Sequence, residues 1–268
     1  MQRPETGKVR NYFNIYSGTA GLAVSRGNPY LKPTTAWQFD LTGEWYFSRV
    51  GSLTLDLFYK SVHNFYYDKL TSVDLTFNGV TQSVDALQPA NYSGYGKIKG
   101  FELAYQQVFS FLPAPLNGFG VKGDYTYVHS NGLPSSFING NSFLASPSIT
   151  VGDLPMANLS KHTFNVEVFY ENSLISARAA YNWRSKFLLT PADAIAPYFP
   201  IYNGAAGQLD ASLFVNVMKN VKVGVQGVNL LNGITKTYQD YGNPSGDLAL
   251  RSAFMNDRRF SFILRGSF

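Results

Sequence analysis

A two-residue alternation of apolar and polar side chains runs through most of this sequence, and it constrains the fold more than any other feature. In the segment WQFDLTGEWYF, Trp37 and Phe39 share one face of an extended chain, and Gln38 and Asp40 share the other. The same pattern recurs in segments 37–47, 52–60, 96–109, 118–130, 161–171, 174–186, 208–218, 221–231 and 257–268. We therefore predict nine β-strands, no substantial helix and an all-β antiparallel fold.

The composition excludes several classes of protein. Charged residues make up only 15% of the 268 residues, against about 25% in ordinary soluble domains, and aromatic residues make up 16%. The net charge of +5 is carried by scattered basic residues, which argues against nucleic-acid binding. The chain has no cysteine, so thiolate nucleophiles, zinc-thiolate sites and iron–sulfur ligation are excluded. No apolar run approaches the roughly 18 residues of a transmembrane helix, but a transmembrane strand needs only about 9 to 11 alternating residues.

The connections between these strands alternate in length. Short links are predicted at 48–52, 110–117, 172–173 and 219–220. Long links rich in Gly, Pro, Asn and Ser are predicted at 68–95, 131–160, 187–207 and 232–256. Because the long links fall on every second connection, they all emerge at one end of an up-and-down sheet. This layout is typical of an outer-membrane β-barrel with short periplasmic turns and long extracellular loops.

In such a barrel, lipid contacts the apolar face, and the polar face lines an aqueous lumen. Aromatic residues near the strand ends are predicted to form two interfacial girdles. These residues are Trp37, Phe39, Trp45, Phe47, Tyr59, Tyr127, Trp183 and Phe187.

Two other all-β folds are compatible with the alternation. In a soluble sandwich the apolar faces would meet in a dry core, although this leaves the regular loop lengths and the apolar terminal strand unexplained. A complete small barrel is also possible on geometry, with residues 9–16 as a tenth strand. The segment VRNYFNIY alternates poorly, however, so we favour a partial barrel.

Several motifs resemble those of TonB-dependent receptors, the plugged outer-membrane transporters. RPE at 3–5 followed by GNPYLKP at 27–33 is similar to an extracellular segment that leads into a descending strand, and DLTGEWYF resembles that strand. GFELAYQ, AYNWRSKF, LDASLFVNV with VNLLN, and DRRFSFILRGSF are similar to later strands of the family. The resemblance covers nearly the whole chain.

The resemblance implies more than the chain itself contains. Members of the family have an export signal, an energy-coupling TonB box and a globular plug ahead of a barrel of about 22 strands. This chain would then be the C-terminal part of the barrel domain over 1–268, lacking the plug and the TonB box, with 1–36 mostly an extracellular loop and strands from 37 onward.

The implied function is TonB-energised uptake of a scarce solute of the siderophore, cobalamin or oligosaccharide class, in the outer membrane of a Gram-negative bacterium. The implied partners are outer-membrane lipid, the plug and remaining strands, the TonB complex and the barrel-assembly machinery. That machinery would read the terminal strand through Phe260, Phe262, Leu264 and Phe268. The alternatives are a complete small barrel that acts as a passive pore or adhesin, and a soluble all-β binding module or hydrolase.

The residues that could carry this function fall into two groups. Charges expected on the lumen side, where they would line a solute path, face the plug or pair across strands, are Asp40, Glu44, Asp56, Lys60, Glu102, Lys122, Asp124, Glu167, Arg178, Arg184, Asp210, Arg259 and Arg265. Loop aromatics that could stack on a ligand are Tyr92, Tyr95, Phe137, Tyr198, Tyr202, Tyr238 and Tyr241.

No catalytic, metal or cofactor-binding residue is predicted, and no cofactor is expected. The three histidines are far apart in the sequence and lack a nearby carboxylate at ligand spacing. Ser160 beside His162 is a pair that a rim hydrolase could use, but it lacks an orienting partner and an oxyanion donor.

Overall fold

The computed structural model describes residues 13–18, 21–131, 154–190, 200–240 and 246–266. Its strands are β1 (Phe13–Gly18), β2 (Gly21–Arg26), β3 (Thr35–Ser48), β4 (Gly51–His63), β5 (Tyr66–Phe77), β6 (Val80–Asn91), β7 (Tyr95–Val108), β8 (Phe119–Asn131), β9 (His162–Glu171), β10 (Ile175–Arg184), β11 (Phe187–Thr190), β12 (Ile201–Asn203), β13 (Ala206–Met218), β14 (Val221–Val228), β15 (Ile234–Asp240), β16 (Leu248–Met255) and β17 (Arg259–Gly266). A short 3₁₀ helix, Leu116–Gly118, precedes β8. The described part of the chain contains no helical segment that could span a lipid bilayer.

Nine of these strands form one antiparallel sheet, which we call the wall sheet, in the order β17-β14-β13-β10-β9-β8-β7-β4-β3. They are the nine strands that the alternation predicts, and the four short links between them are confirmed. β3 and β17 are the two edges, so the described strands form an open, partial barrel. The all-β antiparallel prediction is therefore confirmed.

The register places all the alternating apolar residues on the same side of the wall sheet. Leu41 lies opposite Leu57, which lies opposite Phe101, and the row continues to Tyr127. One residue further along β3, Thr42 begins a separate polar row. Because side chains alternate along each strand, these two rows lie on opposite sides. We call them the apolar face and the polar face.

Nothing among the described residues covers the apolar face. Trp37 is 74% exposed and Phe262 is 89% exposed, although both are large and apolar. In a soluble sandwich this face would be packed against a second sheet, so the sandwich alternative is wrong. A continuous exposed apolar surface of this size is the expected exterior of a membrane barrel.

Aromatic residues form two belts on the apolar face, as predicted. At the long-loop end Phe101 stacks with Tyr127 at 5.8 Å between ring centroids, and Phe164 stacks with Trp183 at 5.4 Å. At the short-turn end the partners include Trp45 and Phe47 at 5.2 Å, and Phe119 and Tyr170 at 4.8 Å. The prediction is wrong for Phe187, which is buried in β11 instead.

The long connections are not simply loops. β5 and β6 extend the hairpin of β4 and β7 beyond the wall sheet, and they join β1 and β2 in a four-stranded sheet, the first extension sheet. β11, β12, β15 and β16 form a second four-stranded sheet, the second extension sheet. The link 131–160 lies largely outside the described residues.

The hairpin of the first extension sheet could have been found from its turn. Asn78 and Gly79 connect β5 to β6 with φ angles of 50° and 78°. Two consecutive positive φ angles are those of a type I′ turn, for which Asn-Gly is the strongest short-range signal. Val73, Leu75 and Phe77 also alternate with Asp74 and Thr76 directly before the turn, so the hairpin was visible in the sequence. The prediction of a loop at 68–95 rested on its content of Gly, Pro, Asn and Ser and is wrong for this hairpin.

The expectation of strands only from residue 37 onward is corrected by β1 and β2. β2 pairs in parallel with β6 through Ala23 to Ser25 and Asp85 to Leu87. Val24 and Ala86 are fully buried, together with Val84, against Val73 and Leu75. The segment before the wall sheet is thus packed into the first extension sheet.

The possible tenth strand at 9–16 does not join the wall sheet where it is described. Phe13 to Tyr16 lie in β1, which pairs with β2, and residues 9–12 lie outside the described residues. The buried apolar side chains among the described residues belong mainly to the extension sheets and their junctions, with Leu188 and Ile201 in the second one. The wall sheet has no such core at its centre.

Candidate ligand path along the polar face

The register brings the predicted lumen charges onto the polar face. Asp56 lies opposite Glu102, and Lys122 lies opposite Glu167. Each of the other predicted charges occupies the same face, as the pairings of Asp40, Glu44, Lys60, Asp124, Arg178, Arg184, Asp210, Arg259 and Arg265 show. Lys222 also lies on this face, opposite Arg265, and was not predicted.

Glu167 is the centre of the charge network on this face. Its Oε1 lies 3.7 Å from Lys122 Nζ and 3.8 Å from Arg178 Nη1. Nearby, Asn165 donates a hydrogen bond of 2.7 Å to Asp124 Oδ2. Lys122, Asp124, Asn165 and Glu167 line an open cavity of about 500 Å³ on the polar face. Fixed charges of both signs along a water-filled path can bind a polar solute in several weak steps.

Aromatic residues on the polar face lie flat against glycines. A Cβ at Gly120 would lie 2.2 Å from the Phe169 ring, and one at Gly224 would lie 2.1 Å from the Phe214 ring. Only glycine leaves room for these cross-strand contacts. The rings therefore lie along the wall instead of filling the lumen. Phe214 is also flanked by Lys222 Nζ at 5.6 Å from its centroid and by the Arg265 guanidinium at 5.2 Å.

Arg184 is a cation at the long-loop end whose side chain is held by two contacts. Its Nε donates to Ser160 Oγ at 2.9 Å, and its guanidinium lies 3.8 Å from the centroid of the Phe187 ring. Ser160 in turn donates to the carbonyl of Ser185 at 3.1 Å. Arg184 lines a second open cavity of about 540 Å³, and Asn182 and Gln208 lie on the same wall.

The base of the second extension sheet is held by Asn229 in the VNLLN motif. Asn229 has a φ of 56°, and its buried side chain accepts a 2.9 Å hydrogen bond from the Gly233 amide and donates to the carbonyl of Asn256. Its own amide donates to Asp210 Oδ1 at 2.8 Å. Asn229 therefore ties the end of β14 to both strands beside it. The VNLLN motif was visible in the sequence, but the role of Asn229 in joining these strands was not.

The predicted loop aromatics lie in different environments. Tyr92 packs edge-on against Tyr67, with ring centroids 6.4 Å apart. Tyr202 lies opposite Tyr238 in the second extension sheet, with Lys186 Nζ 5.3 Å from its ring centroid. Burial, with a smaller contribution from the charge of Asp240, raises the pKa of Tyr202.

Tyr95 differs from these residues because it lies on the apolar face. It sits beside His63 at 5.8 Å between ring centroids, and it precedes Lys97 on the same face. Phe137, Tyr198 and Tyr241 lie outside the described residues. No contact in the structure tests the ligand role of any of these aromatics.

The terminal strand presents its aromatic residues outward. Phe260, Phe262 and Leu264 lie opposite Gly227, Val225 and Val223 on the apolar face, and all three are exposed. Phe268 lies outside the described residues. Recognition of this strand by assembly machinery stays a prediction.

The structure separates Ser160 and His162, the serine and histidine pair that the sequence analysis considered for a rim hydrolase. The Ser160 hydroxyl contacts Ser185 and Arg184, whereas His162 Nδ1 lies 2.7 Å from the hydroxyl of Tyr125. The pair therefore has no direct contact through which His162 could act as a general base.

The comparisons with known proteins agree with this architecture. The sequence profile of the family described as TonB dependent receptor-like, beta-barrel matches residues 2–230. No curated protein has a sequence that matches this chain.

Among solved structures, a double mutant of the ferric enterobactin receptor PfeA from Pseudomonas aeruginosa matches with a TM-score of 0.64 and 18% identity, over 99% of this chain and 36% of that chain. The siderophore receptor PiuA from Acinetobacter baumannii matches with a TM-score of 0.56 and 18% identity, over 87% of this chain and 28% of that chain. The ferric-catecholate import receptor Fiu from Escherichia coli K12 matches with a TM-score of 0.53 and 17% identity, over 88% of this chain and 28% of that chain.

At these identities the structural likeness establishes the fold alone, and this chain spans 36% or less of the length of each of these receptors. The family profile, in contrast, covers most of the sequence. The order and spacing of the strands, the uncovered apolar face and the charged polar face all agree with it. This chain therefore belongs to the TonB-dependent receptor family, as part of its β-barrel.

Proposed function

We propose that this chain is the wall of an outer-membrane receptor that takes up a scarce solute with energy supplied through TonB. Receptors of this family sit in the outer membrane, contain a plug domain and bind TonB. The partners that we propose are therefore outer-membrane lipid, a plug with the remaining barrel strands, and the TonB complex. The barrel-assembly machinery would recognise β17.

The observation that carries this proposal is the contrast between the two faces of the wall sheet. The apolar face is exposed and rimmed by two aromatic belts, whereas the polar face holds charges of both signs. Lipid on one side and water on the other satisfy both faces at once. The extension sheets at the long-loop end supply the surface that would first meet a solute.

Within the solute classes that the sequence suggests, we favour a ferric siderophore. PfeA, PiuA and Fiu are described as siderophore or ferric-catecholate receptors. In this chain, Arg184 is fixed beside an open cavity of about 540 Å³ by Ser160 and Phe187. A preorganised guanidinium with an aromatic neighbour suits an anionic, aromatic iron chelate.

The test is uptake of radiolabelled iron from a catecholate siderophore by cells whose only receptor is this protein in its natural full form. Wild type is compared with Arg184→Gln, and Arg49→Gln in the exposed turn between β3 and β4 is the matched control. We expect Arg184→Gln to weaken uptake affinity about tenfold or more, because a charge-assisted hydrogen bond is lost. The control should match wild type.

Deletion of TonB distinguishes energised uptake from passage through a passive pore. Uptake by wild-type cells should stop without TonB, since the proposed transport depends on energy. Uptake that continues at the same rate would identify a passive pore and contradict the proposal.

A further inference from the structure

The apolar face carries two charged side chains among the described Lys, Arg, Asp and Glu residues of the wall strands, and both are lysines. Lys97 and Lys99 alternate with Phe101 along β7 and so face the same side. Every other such residue in those strands lies on the polar face. A charge on a lipid-facing surface is costly, so a pair of adjacent charges of one sign calls for a specific explanation.

We propose that Lys97, Lys99 and Lys161 form a docking surface for the phosphate groups of an outer-leaflet lipid. The proposal rests on the membrane placement of the wall sheet under the proposed function, but not on which solute the receptor takes up.

The position of the lysines matches the height of lipid head groups. Lys99 lies between Tyr59 on β4 and His129 on β8, and Lys97 lies one step closer to the long-loop end. Immediately towards the short-turn end is the aromatic belt, where Phe101 stacks on Tyr127. Aromatic belts mark the boundary between acyl chains and head groups. The lysines therefore lie just outside the hydrocarbon region, on the side of the long loops.

Two of the three ammonium groups lie against aromatic rings, and none of the three is neutralised by a carboxylate in the described part of the chain. Lys97 Nζ lies 5.2 Å from the centroid of Tyr95, and Lys161 Nζ lies 5.6 Å from that of Tyr127. Lys161 directly precedes β9, and its ring contact brings it to the apolar face. Within the described part of the chain, none of the three lysines forms an ion pair. Their positive charge is thus available to an external anion.

The surroundings select a lipid as the source of that anion. The cluster of three lysines adjoins an apolar surface formed by Leu57, Phe101 and Leu103. A single ligand that covers both must carry anionic groups next to acyl chains, as a lipid with a phosphorylated head group does. Basic residues beside a membrane-embedded surface bind anionic head groups by this arrangement. Lipid A, with its two phosphates and several acyl chains, is the outer-leaflet lipid of this chemistry.

The test measures lipid binding by native mass spectrometry of the protein purified from outer membranes in detergent. Wild type, the triple variant Lys97→Gln, Lys99→Gln and Lys161→Gln, and a polar-face triple variant are titrated with bisphosphorylated lipid A. The polar-face variant carries Lys60→Gln, Lys122→Gln and Arg178→Gln, so its change in charge is the same. We expect the apolar-face triple variant to bind at least about tenfold more weakly, and the polar-face variant to bind like wild type.

A second titration uses lipid A with one phosphate removed. Wild type should bind it more weakly than the bisphosphorylated form, and the apolar-face triple variant should no longer distinguish the two. Equal affinity of wild type and the apolar-face variant overturns the docking surface. An equal loss in both triple variants also overturns it, because net charge and not position would then control binding.

Each protein is first checked for heat-modifiable migration on a gel, which reports a folded barrel. If wild type lacks this property, the membrane placement fails and the proposed function fails with it. If wild type is a folded barrel and lipid binding is insensitive to the lysines, only the docking surface is wrong. Lys97→Gln alone, at an exposed position, replaces the triple variant if that variant does not assemble, and about a threefold loss is then expected.

Discussion

The wall sheet and the extension sheets are built from the same kind of strand but are stabilised differently. The wall sheet exposes Trp37, Leu41 and Phe262 on its apolar face and has no buried apolar core at its centre. The extension sheets bury Val24, Ala86 and Leu188 as a soluble protein would. The surrounding solvent, and not the strand pattern, therefore decides where apolar side chains go. A strand in lipid needs no partner for its apolar face, whereas a strand in water does.

Truncation of Leu188 in the second extension sheet tests this contrast. Leu188→Ala removes a side chain that is 1% exposed and should cost the extension sheet about 2–5 kcal/mol. Because Leu188 belongs to the second extension sheet and not to the wall sheet, we expect heat-modifiable migration to be unchanged. Limited proteolysis should cleave the variant within 187–203 much faster than wild type. Loss of the folded band would show that the two regions do not fold separately.

A charge placed on the apolar face should instead destabilise the wall sheet. Val168→Arg lies near the middle of β9 and should destabilise the inserted barrel by about 2–4 kcal/mol, because the arginine would face hydrocarbon. Thr42→Arg is the matched control, since Thr42 lies on the polar face. Urea unfolding in lipid vesicles measures both. Similar stabilities of the two variants would mean that the apolar face is not in contact with lipid.

The junction between the wall sheet and the second extension sheet is tested at Asn229. Asn229→Ala removes the acceptor for the Gly233 amide and the donor to Asn256, and it forces a residue with a Cβ and no polar group into a positive φ. We expect a loss of about 1–3 kcal/mol, confined to the second extension sheet. Hydrogen exchange should speed up in β15 and β16 but not in β13. Asn229→Asp, which keeps the acceptor, should show a smaller effect, and equal effects would contradict this account.

The turn of the first extension sheet is tested at Gly79. Gly79→Ala introduces a side chain at a φ of 78° and should cost about 1 kcal/mol, although no atom lies within 4 Å of the added Cβ. The loss reflects backbone strain alone. Hydrogen exchange of β5 and β6 should increase several-fold while the wall sheet is unaffected. Gly43→Ala in β3 is the control, because its Cβ would meet only ordinary contact at 4.0 Å.

The candidate site was partly visible in the sequence. Alternation was sufficient to place Glu102, Glu167 and Arg184 on the polar face, since the side of each residue follows from its position in the strand. It could not show that Arg184 would be fixed by Ser160 and Phe187, because those residues belong to separate elements around the same junction. The misplacement of Phe187 in a girdle has the same cause, since its burial depends on β11 joining the second extension sheet.

The sequence alone determined the nine strands of the wall sheet, their order and the side on which each residue lies. These properties follow from a local two-residue period and from short turns, which act between neighbours in the chain. Tertiary structure decided the rest: β2 pairs with β6 across about sixty residues, and Asn229 joins strands that are distant in sequence. Such contacts depend on which segments meet in space, and no local pattern carries that information.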